Sequence, residues 1–265
     1  MKLTDQTEYR HQASVICNKL MQNNLTDKVA LVTGASRGVG AKVSETLAKA
    51  GADVILNYRS KGHRAETVAE TIRSHGRKAL LSQADITNQE QMARMMLEAK
   101  ETFGRLDILI LNASGGMETG KADNYAMQLN HDAQLQTVDL ALPLMRPGSR
   151  IVFVTSHLAH FHGEQPVLPE YEPVAASKRA GETALRNRIP QLTDKGISLI
   201  VVSGDLIEGT ITPKLLQRAR PGLIEQRREQ AGELPTVQDF AQAIVDAATD
   251  SALSPGDTIY VGETN

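Results

Sequence analysis

Short apolar runs alternate with amphipathic stretches along most of this chain. KVALVT (28–33), ADVILN (52–57), KALLSQ (78–83), LDILIL (106–111), RIVFVT (150–155), ISLIVV (197–202) and DTIYVG (257–262) are rich in β-branched and aliphatic residues. Most lack a polar face, the pattern of strands buried on both sides of a parallel sheet. Between them the spacing turns helical. Val39, Val43 and Leu47 recur at i+4, and further helices are predicted through about residue 75, over 89–103, near 122–145, over 173–188 and near 236–248. Strict alternation of strand and helix, joined by right-handed crossovers, predicts an α/β fold: a Rossmann-like doubly wound parallel sheet in a single domain over 27–265. Residues 1–26 form an N-terminal extension. In it Ala13, Ile16, Cys17, Leu20 and Met21 mark one face of a helix, to be packed on the domain's own surface or against another subunit.

Composition narrows the function classes. The net charge is −2 over 265 residues, with no block of like charge, so nucleic acid and anionic membranes find no electrostatic footprint. The one cysteine, Cys17, excludes an internal disulfide framework and fits a reducing compartment. No apolar run reaches membrane-spanning length, and MKLTDQTEYRHQ at the start lacks the apolar stretch of a secretory signal. The expectation is a soluble, cytoplasmic protein with neither a nucleic-acid nor a membrane partner.

The first strand ends in TGASRGVG, which spans Thr33, Gly34, Ser36, Arg37, Gly38, Val39 and Gly40. Glycines let the backbone turn tightly and approach a phosphate, and the helix that follows offers free N–H groups and the positive end of its dipole. Strand before, helix after and a place in the first βαβ unit together point to dinucleotide binding. An acidic residue at the end of the second strand would select the ribose 2′-hydroxyl of NAD(H). Here the stretch is Asn57, Tyr58, Arg59, with no carboxylate, and Arg59 with Arg37 suits a 2′-phosphate. NADP(H) is therefore favoured over NAD(H); the alternative is that both arginines are solvated surface groups.

The ordered set TGASRGVG, ADIT with Asp85, LILNAS with Asn112, then Asn130, IVFVTS with Ser156, and SK with Lys178 resembles the short-chain dehydrogenase/reductase family from about residue 27 to 262. The resemblance implies a homodimer or homotetramer. It implies that Asp85, beside Ile86, hydrogen-bonds the adenine, and that Asn112 braces the central sheet beside the cofactor, with Ala113 and Ser114 following. Ser114 stands where a glycine is common. After the sixth strand SGDLIEGT stands in place of the family's usual proline-glycine start; Gly204 and Thr210 are still expected at the cofactor, Thr210 as threonines of this loop are in the family. The implied active site is Asn130, Ser156, a tyrosine and Lys178, acting on a small-molecule carbonyl or alcohol. In that chemistry the serine holds the substrate oxygen and the tyrosine exchanges the proton. The lysine tunes the tyrosine and binds ribose, and the asparagine supports a water relay.

The sequence departs from the family at the tyrosine. Four residues before Lys178 stands Val174, which cannot carry a proton. The nearest tyrosine, Tyr171, lies seven residues upstream, ahead of Pro173, where the helix is expected to begin, and so falls in the entering loop. Three readings follow: the loop delivers the Tyr171 hydroxyl to the usual place; His157, His160 or His162 does the proton work; or the site binds cofactor and catalyses little. No metal is expected, because no cysteine or paired carboxylate accompanies the histidines. A lid is expected over about 205–235, with Leu215, Leu216, Leu223 and Ile224 as an apolar wall. Its arginines, Arg218, Arg220, Arg227 and Arg228, read as a solvated face or, less favoured, an anionic-substrate site. Asp205 and Glu208 would lie near the nicotinamide end as a polar-substrate contact or a structural cap. The reading reached is an NADP(H)-dependent oxidoreductase. The alternative is a nucleotide-binding sensor or interaction protein.

Overall fold

The computed structural model describes residues 24–118 and 120–264. The apolar face carrying Cys17 lies outside the described residues. The strands are β1 (Val29–Val32), β2 (Asp53–Tyr58), β3 (Ala79–Gln83), β4 (Leu106–Leu111), β5 (Met145–Ser156), β6 (Ser198–Gly204) and β7 (Thr258–Val261). They form one sheet in the order β3-β2-β1-β4-β5-β6-β7, and every described pairing is parallel. The order reverses between β1 and β4, which opens the crevice where ligands of such sheets bind.

The helices are α1 (Gly38–Lys49), α2 (Gly62–Ser74), α3 (Gln89–Phe103), the short α4 (Tyr125–Met127), α5 (Ala133–Ala141), α6 (His157–His160), α7 (Glu172–Arg186), α8 (Ile189–Asp194), α9 (Ile211–Ala219), α10 (Leu223–Ala231) and α11 (Val237–Thr249). One core layer sets Val43 and Leu47 of α1, Ile72 of α2 and Phe240 and Ile244 of α11 against one face of the sheet. The other packs Met92 and Met95 of α3, Val138 of α5 and Leu185 of α7 against the opposite face. Helices on both faces explain why the strand runs carry no polar side. The doubly wound single domain is as the alternation predicts.

Three boundaries differ from those expected. The helix near 122–145 is broken: α4 passes into a π-helical turn at Gln128–Asp132 before α5, and a 3-10 turn holding Pro143 closes it at Leu144. The π turn carries Asn130, whose carbonyl faces Gly181 of α7 so closely that a Cβ there would stand 2.2 Å from the oxygen. Strand β5 begins at Met145 rather than near residue 150, because Met145 pairs with Leu106 before a register shift. Finally, α7 starts at Glu172 in spite of Pro173, which occupies a first-turn position where its missing N–H costs nothing. Tyr171 is the residue capping that helix, with near-helical backbone angles (φ −104°, ψ −10°), and its carbonyl accepts from the N–H groups of Val174 and Ala175 at 3.0 and 2.9 Å. It therefore belongs to the lysine's helix rather than to a separate loop.

Gly181→Ala should destabilise the domain by about 1–3 kcal/mol, since the methyl meets backbone that must move. Urea unfolding of the two proteins side by side measures this, and equal midpoints would mean the α7–π-turn contact yields freely.

Candidate active site

The crevice begins at the turn after β1. Gly34 and Gly38 sit at φ +69° and +56°, left-handed values that glycine adopts without strain. A Cβ on Gly40 would stand 2.5 Å from the Gly34 carbonyl and 2.6 Å from the Asn112 side-chain amide, so helix α1 can approach the strand this closely only with glycine there. The amide of Asn112 donates to the Thr33 carbonyl at 2.9 Å, and the Thr33 hydroxyl accepts from the backbone N–H groups of Asn112 and Ala113 at 2.9 and 3.0 Å. Asn57 accepts from the Gly34 N–H at 3.3 Å and donates to the Ala84 carbonyl at 2.9 Å. Arg37, in extended conformation, precedes α1 without a side-chain cap, so the first N–H groups of the helix are left for a ligand. Nothing lies within 4 Å of a Cβ built on Gly38, so that side of the turn is open. Free N–H groups beside open space fit a dinucleotide's diphosphate.

A cavity of about 1660 Å³ runs from this turn to the lid, larger than the ~300–1,000 Å³ of a typical small-ligand pocket and so able to take a dinucleotide and a second molecule. Gly34, Ser36, Arg37, Gly38, Val39 and Gly40 line its phosphate end. Asn57, Arg59, Asp85 and Ile86 line the end beyond β2, and Asn112, Ala113 and Ser114 line the middle. Ser156, Tyr171, Lys178, Gly204 and Thr210 line the remainder. Three residues expected at the cofactor or catalytic site do not reach the cavity. Thr33 is fully buried beneath the turn, Tyr58 lies against Gly62, and Asn130 is 1% exposed behind it. Each is spent on structure: Asn130 donates to the Gly115 carbonyl at 2.8 Å and the Ser177 hydroxyl at 3.0 Å.

The catalytic-type residues converge from two elements. Ser156 ends β5 and caps α6, accepting from the Ala159 N–H at 3.3 Å. Its hydroxyl oxygen lies 3.0 Å from the Tyr171 hydroxyl. Seven residues make about two helical turns, so Tyr171 and Lys178 share one side of α7. Val174, one turn closer to Lys178, packs with Tyr171, Ala159, Ala175 and Leu216 in a small apolar cluster under the lid. Burial in that cluster pushes the Tyr171 phenol above its ordinary pKa, and the Ser156 hydrogen bond offsets this only in part. Lys178 is 7% exposed, hydrogen-bonds no described residue and faces the cavity. Its burial lowers the ammonium to about 8, with Glu182, one turn on, acting in the opposite sense. Glu182 is fully buried. Although burial raises it, hydrogen bonds with His160 (2.9 Å) and from Arg186 (2.8 Å) leave its carboxyl below the usual range.

The histidines are committed elsewhere. His157 meets the Ser203 hydroxyl at 2.8 Å and burial lowers its pKa; His160 bridges Glu182 and the Tyr260 hydroxyl, each at 2.9 Å; His162 contacts Glu172 at 2.7 Å. Among the described residues no His, Cys, Asp or Glu group could hold a metal. In the lid, Leu215, Leu216 and Leu223 line the cavity, whereas Ile224 does not. Arg227 is not part of a solvated face: its guanidinium spans both oxygens of the nearly buried Asp205 at 2.8–3.1 Å and also donates to the Glu263 carbonyl at 2.6 Å. Asp205 is thereby neutralised as a substrate contact, and Glu208 pairs with Arg228 at 2.6 Å. Sequence reading passed over Lys61 and Arg64, which join Arg37 and Arg59 around the cavity beyond β2. Their signal was the run RSKGHR directly after the second strand, taken there as the start of a polar helix.

The short chain dehydrogenase family model matches residues 28–219. Versicolorin reductase 1 of Dothistroma septosporum is 33% identical over 215 residues, covering 79% of this chain and 80% of that protein. A dehydrogenase/reductase from Sinorhizobium meliloti superposes with a TM-score of 0.80 at 28% identity, over 94% of this chain and 99% of that one. A short chain dehydrogenase from Burkholderia cenocepacia, in complex with NADP, gives 0.77 at 28%, over 89% and 98%. The chain belongs to the short-chain dehydrogenase/reductase family and is an oxidoreductase.

The lysine is held in its site against its own preference. Its folded pKa of about 8 lies below the unfolded value of 10.5, so the native state binds fewer protons between them and stability rises with pH across that window. Lys178→Met should therefore be more stable than the natural protein at pH 7, by about 2–3 kcal/mol, with the advantage shrinking as pH approaches 10.5. Chemical denaturation at pH 7 and pH 10 measures both. A less stable variant at pH 7 would mean the buried charge is better compensated than its surroundings indicate.

Proposed function

We propose that this protein reduces a carbonyl group on a small molecule, or oxidises the corresponding alcohol, with NADP(H). One observation carries the reading: the Ser156 and Tyr171 hydroxyls lie 3.0 Å apart on the cavity wall, with Lys178 two turns along the same helix. The nicotinamide, when bound, supplies or takes the hydride. Everything else falls to side chains. A carbonyl oxygen seated between the two hydroxyls accepts a hydrogen bond from each, and negative charge growing on it is met by donors already in place. Tyr171 gives up its proton to that oxygen, and its raised pKa keeps it protonated and ready as a donor across neutral pH. Lys178, open to the cavity and charged below about pH 8, would hold the ribose. Asn130 contributes by fixing the Gly115 and Ser177 segments beside the cavity, at a distance from the reacting atoms.

The preference for NADP(H) rests on Arg37, Arg59, Lys61 and Arg64. All line one end of the cavity and none forms an ion pair with a described carboxylate. Unpaired cations around a recess suit a phosphate dianion, and arginine forks match its geometry. Solved neighbours of similar identity include complexes with NADP and with NADH, so the choice rests on these cations. The apolar lid wall of Leu215, Leu216 and Leu223 and the size of the cavity favour a bulky, largely apolar carbonyl substrate. A homodimer or homotetramer in the cytoplasm is the setting this reading expects.

Tyr171→Phe should lower kcat for carbonyl reduction by about 10²–10⁴-fold while leaving NADP⁺ affinity within a factor of about two, because it removes the proton donor and its contact with Ser156 and keeps the ring packing. Steady-state assays on a panel of aromatic ketones, paired with calorimetric titration of the cofactor, measure both quantities. Full turnover in the variant would remove Tyr171 from the chemistry. Tight cofactor binding with no turnover by the natural protein on any carbonyl would favour a sensor instead.

A further inference from the structure

The four cations beyond β2 are not equivalent. Arg37, Lys61 and Arg64 make no hydrogen bond through their side chains to a described residue, whereas Arg59 is anchored. One of its guanidinium nitrogens donates to the Tyr125 hydroxyl at 2.5 Å, and its carbonyl accepts from the Gln83 side chain at 3.2 Å. Tyr125 comes from a distant part of the chain, the short helix α4 that leads into the π turn. It is 8% exposed and packs in the core layer with Leu129 and Ile86. Burial pushes its phenol up, with the neighbouring Arg59 charge opposing, so the hydroxyl is neutral and serves as an acceptor for the guanidinium. The Lys121 ammonium lies over the same ring, 4.7 Å from its centroid, which adds one more positive charge to this end of the cavity.

Arginine has five donors and a long stem whose rotamer freedom is worth about 2 kcal/mol. A phenol that takes one donor and fixes the fork leaves the others for a second acceptor and removes much of the ordering cost before a ligand arrives. The Arg59 guanidinium forms no ion pair with a described carboxylate, although Glu118 and Asp85 also line the cavity and their charges act on the Tyr125 phenol. Asp85 lines the same end of the cavity, but one of its oxygens is occupied by the Thr87 N–H and hydroxyl at 3.0 and 2.7 Å. Lys61, at φ +66°, holds a left-handed conformation unfavourable for a residue with a side chain and turns the chain directly into α2. The local backbone is thus shaped to keep this cluster of cations at the cavity rim.

We infer that Tyr125 is a positioning residue for coenzyme choice: its hydroxyl holds the Arg59 guanidinium in the orientation that receives the 2′-phosphate of NADP(H), and so sets the discrimination against NAD(H). The inference rests on the NADP(H) reading above and names a residue on another element that enforces it. Because Tyr125 does not line the cavity, it acts only through Arg59.

The test is calorimetric titration of NADP⁺ and NAD⁺ into the natural protein, Tyr125→Phe, Arg59→Ala and the double variant. Phenylalanine keeps the ring packing and removes only the acceptor, and thermal melting checks that the fold is kept. Tyr125→Phe is expected to raise the Kd for NADP⁺ about tenfold and to leave that for NAD⁺ within about twofold, the loss of one hydrogen bond to a charged group. The double variant should bind NADP⁺ no more weakly than Arg59→Ala alone, since the two residues act as one unit. Equal weakening of both coenzymes, or additive effects in the double variant, would overturn the proposal and leave Tyr125 a packing residue. So would an unchanged NADP⁺ Kd in Tyr125→Phe when Arg59→Ala weakens binding. If Arg59→Ala itself leaves NADP⁺ binding unchanged, the 2′-phosphate reading fails, and the role of Tyr125 fails with it.

Discussion

The crevice exists because β1 and β4 are neighbours whose connections leave in opposite directions, and Asn112 fixes the gap between them. Its side-chain amide reaches the Thr33 carbonyl, while its own N–H and that of Ala113 converge on the Thr33 hydroxyl. These buried hydrogen bonds hold the ends of both strands in register, and a polar group left unmade here would carry the full cost of desolvation. Gly40 then lets α1 descend onto the same point, with no room for a methyl between the Gly34 carbonyl and the Asn112 amide. The position of the diphosphate turn, the cavity beyond it and the distance from there to Ser156 all follow from that joint.

The second joint is α7, where Tyr171 and Lys178 both line the cavity at a spacing of seven. Val174 occupies the place one turn before the lysine and serves the apolar cluster under the lid. The phenol is supplied from one further turn back, at the residue that caps the helix. A spacing of seven keeps both groups on one side, just as a spacing of four does. The cost is separation: the immediate surroundings of Tyr171 are apolar apart from Ser156. A phenol so placed is kept in its protonated form at neutral pH, the form that the reduction direction needs. Lys178 in turn is balanced by Glu182, which His160 and Arg186 hold ionised inside the protein. Through the contact of His160 with Tyr260, this network also ties α7 to the edge strand β7.

The charged lid follows the same logic of pairing. Arg227 reaches back to Asp205 at the end of β6 and to the backbone near the C-terminus, so α10 is tied to the sheet by groups that also border the cavity. An acidic residue beside a cavity suggests a substrate contact only until its partner is found. The three histidines after Ser156 are a similar case, since each has a specific protein neighbour.

Periodicity and residue order along the chain were enough for the doubly wound fold, the glycine-rich turn after β1 and the placing of Ser156 and Lys178 on one cavity. Those features are written in local periods, in glycine placement and in residues fixed at strand ends. The sequence also placed Arg37 and Arg59 on the same recess, because Arg59 directly follows β2 and Arg37 ends the turn after the neighbouring β1. What it left open was decided by contacts between distant segments. Whether Tyr171 could serve depended on where α7 begins, and a proline in a first turn is compatible with several starting points. Asn130 was legible as a site residue but not as a buried brace, because its π turn is set by the approach of Gly181 some fifty residues later. The pairings Arg227–Asp205, His160–Glu182 and Tyr125–Arg59 join residues about twenty to seventy positions apart. Side-chain partnership over such separations is a property of the packed state, and no local pattern encodes it.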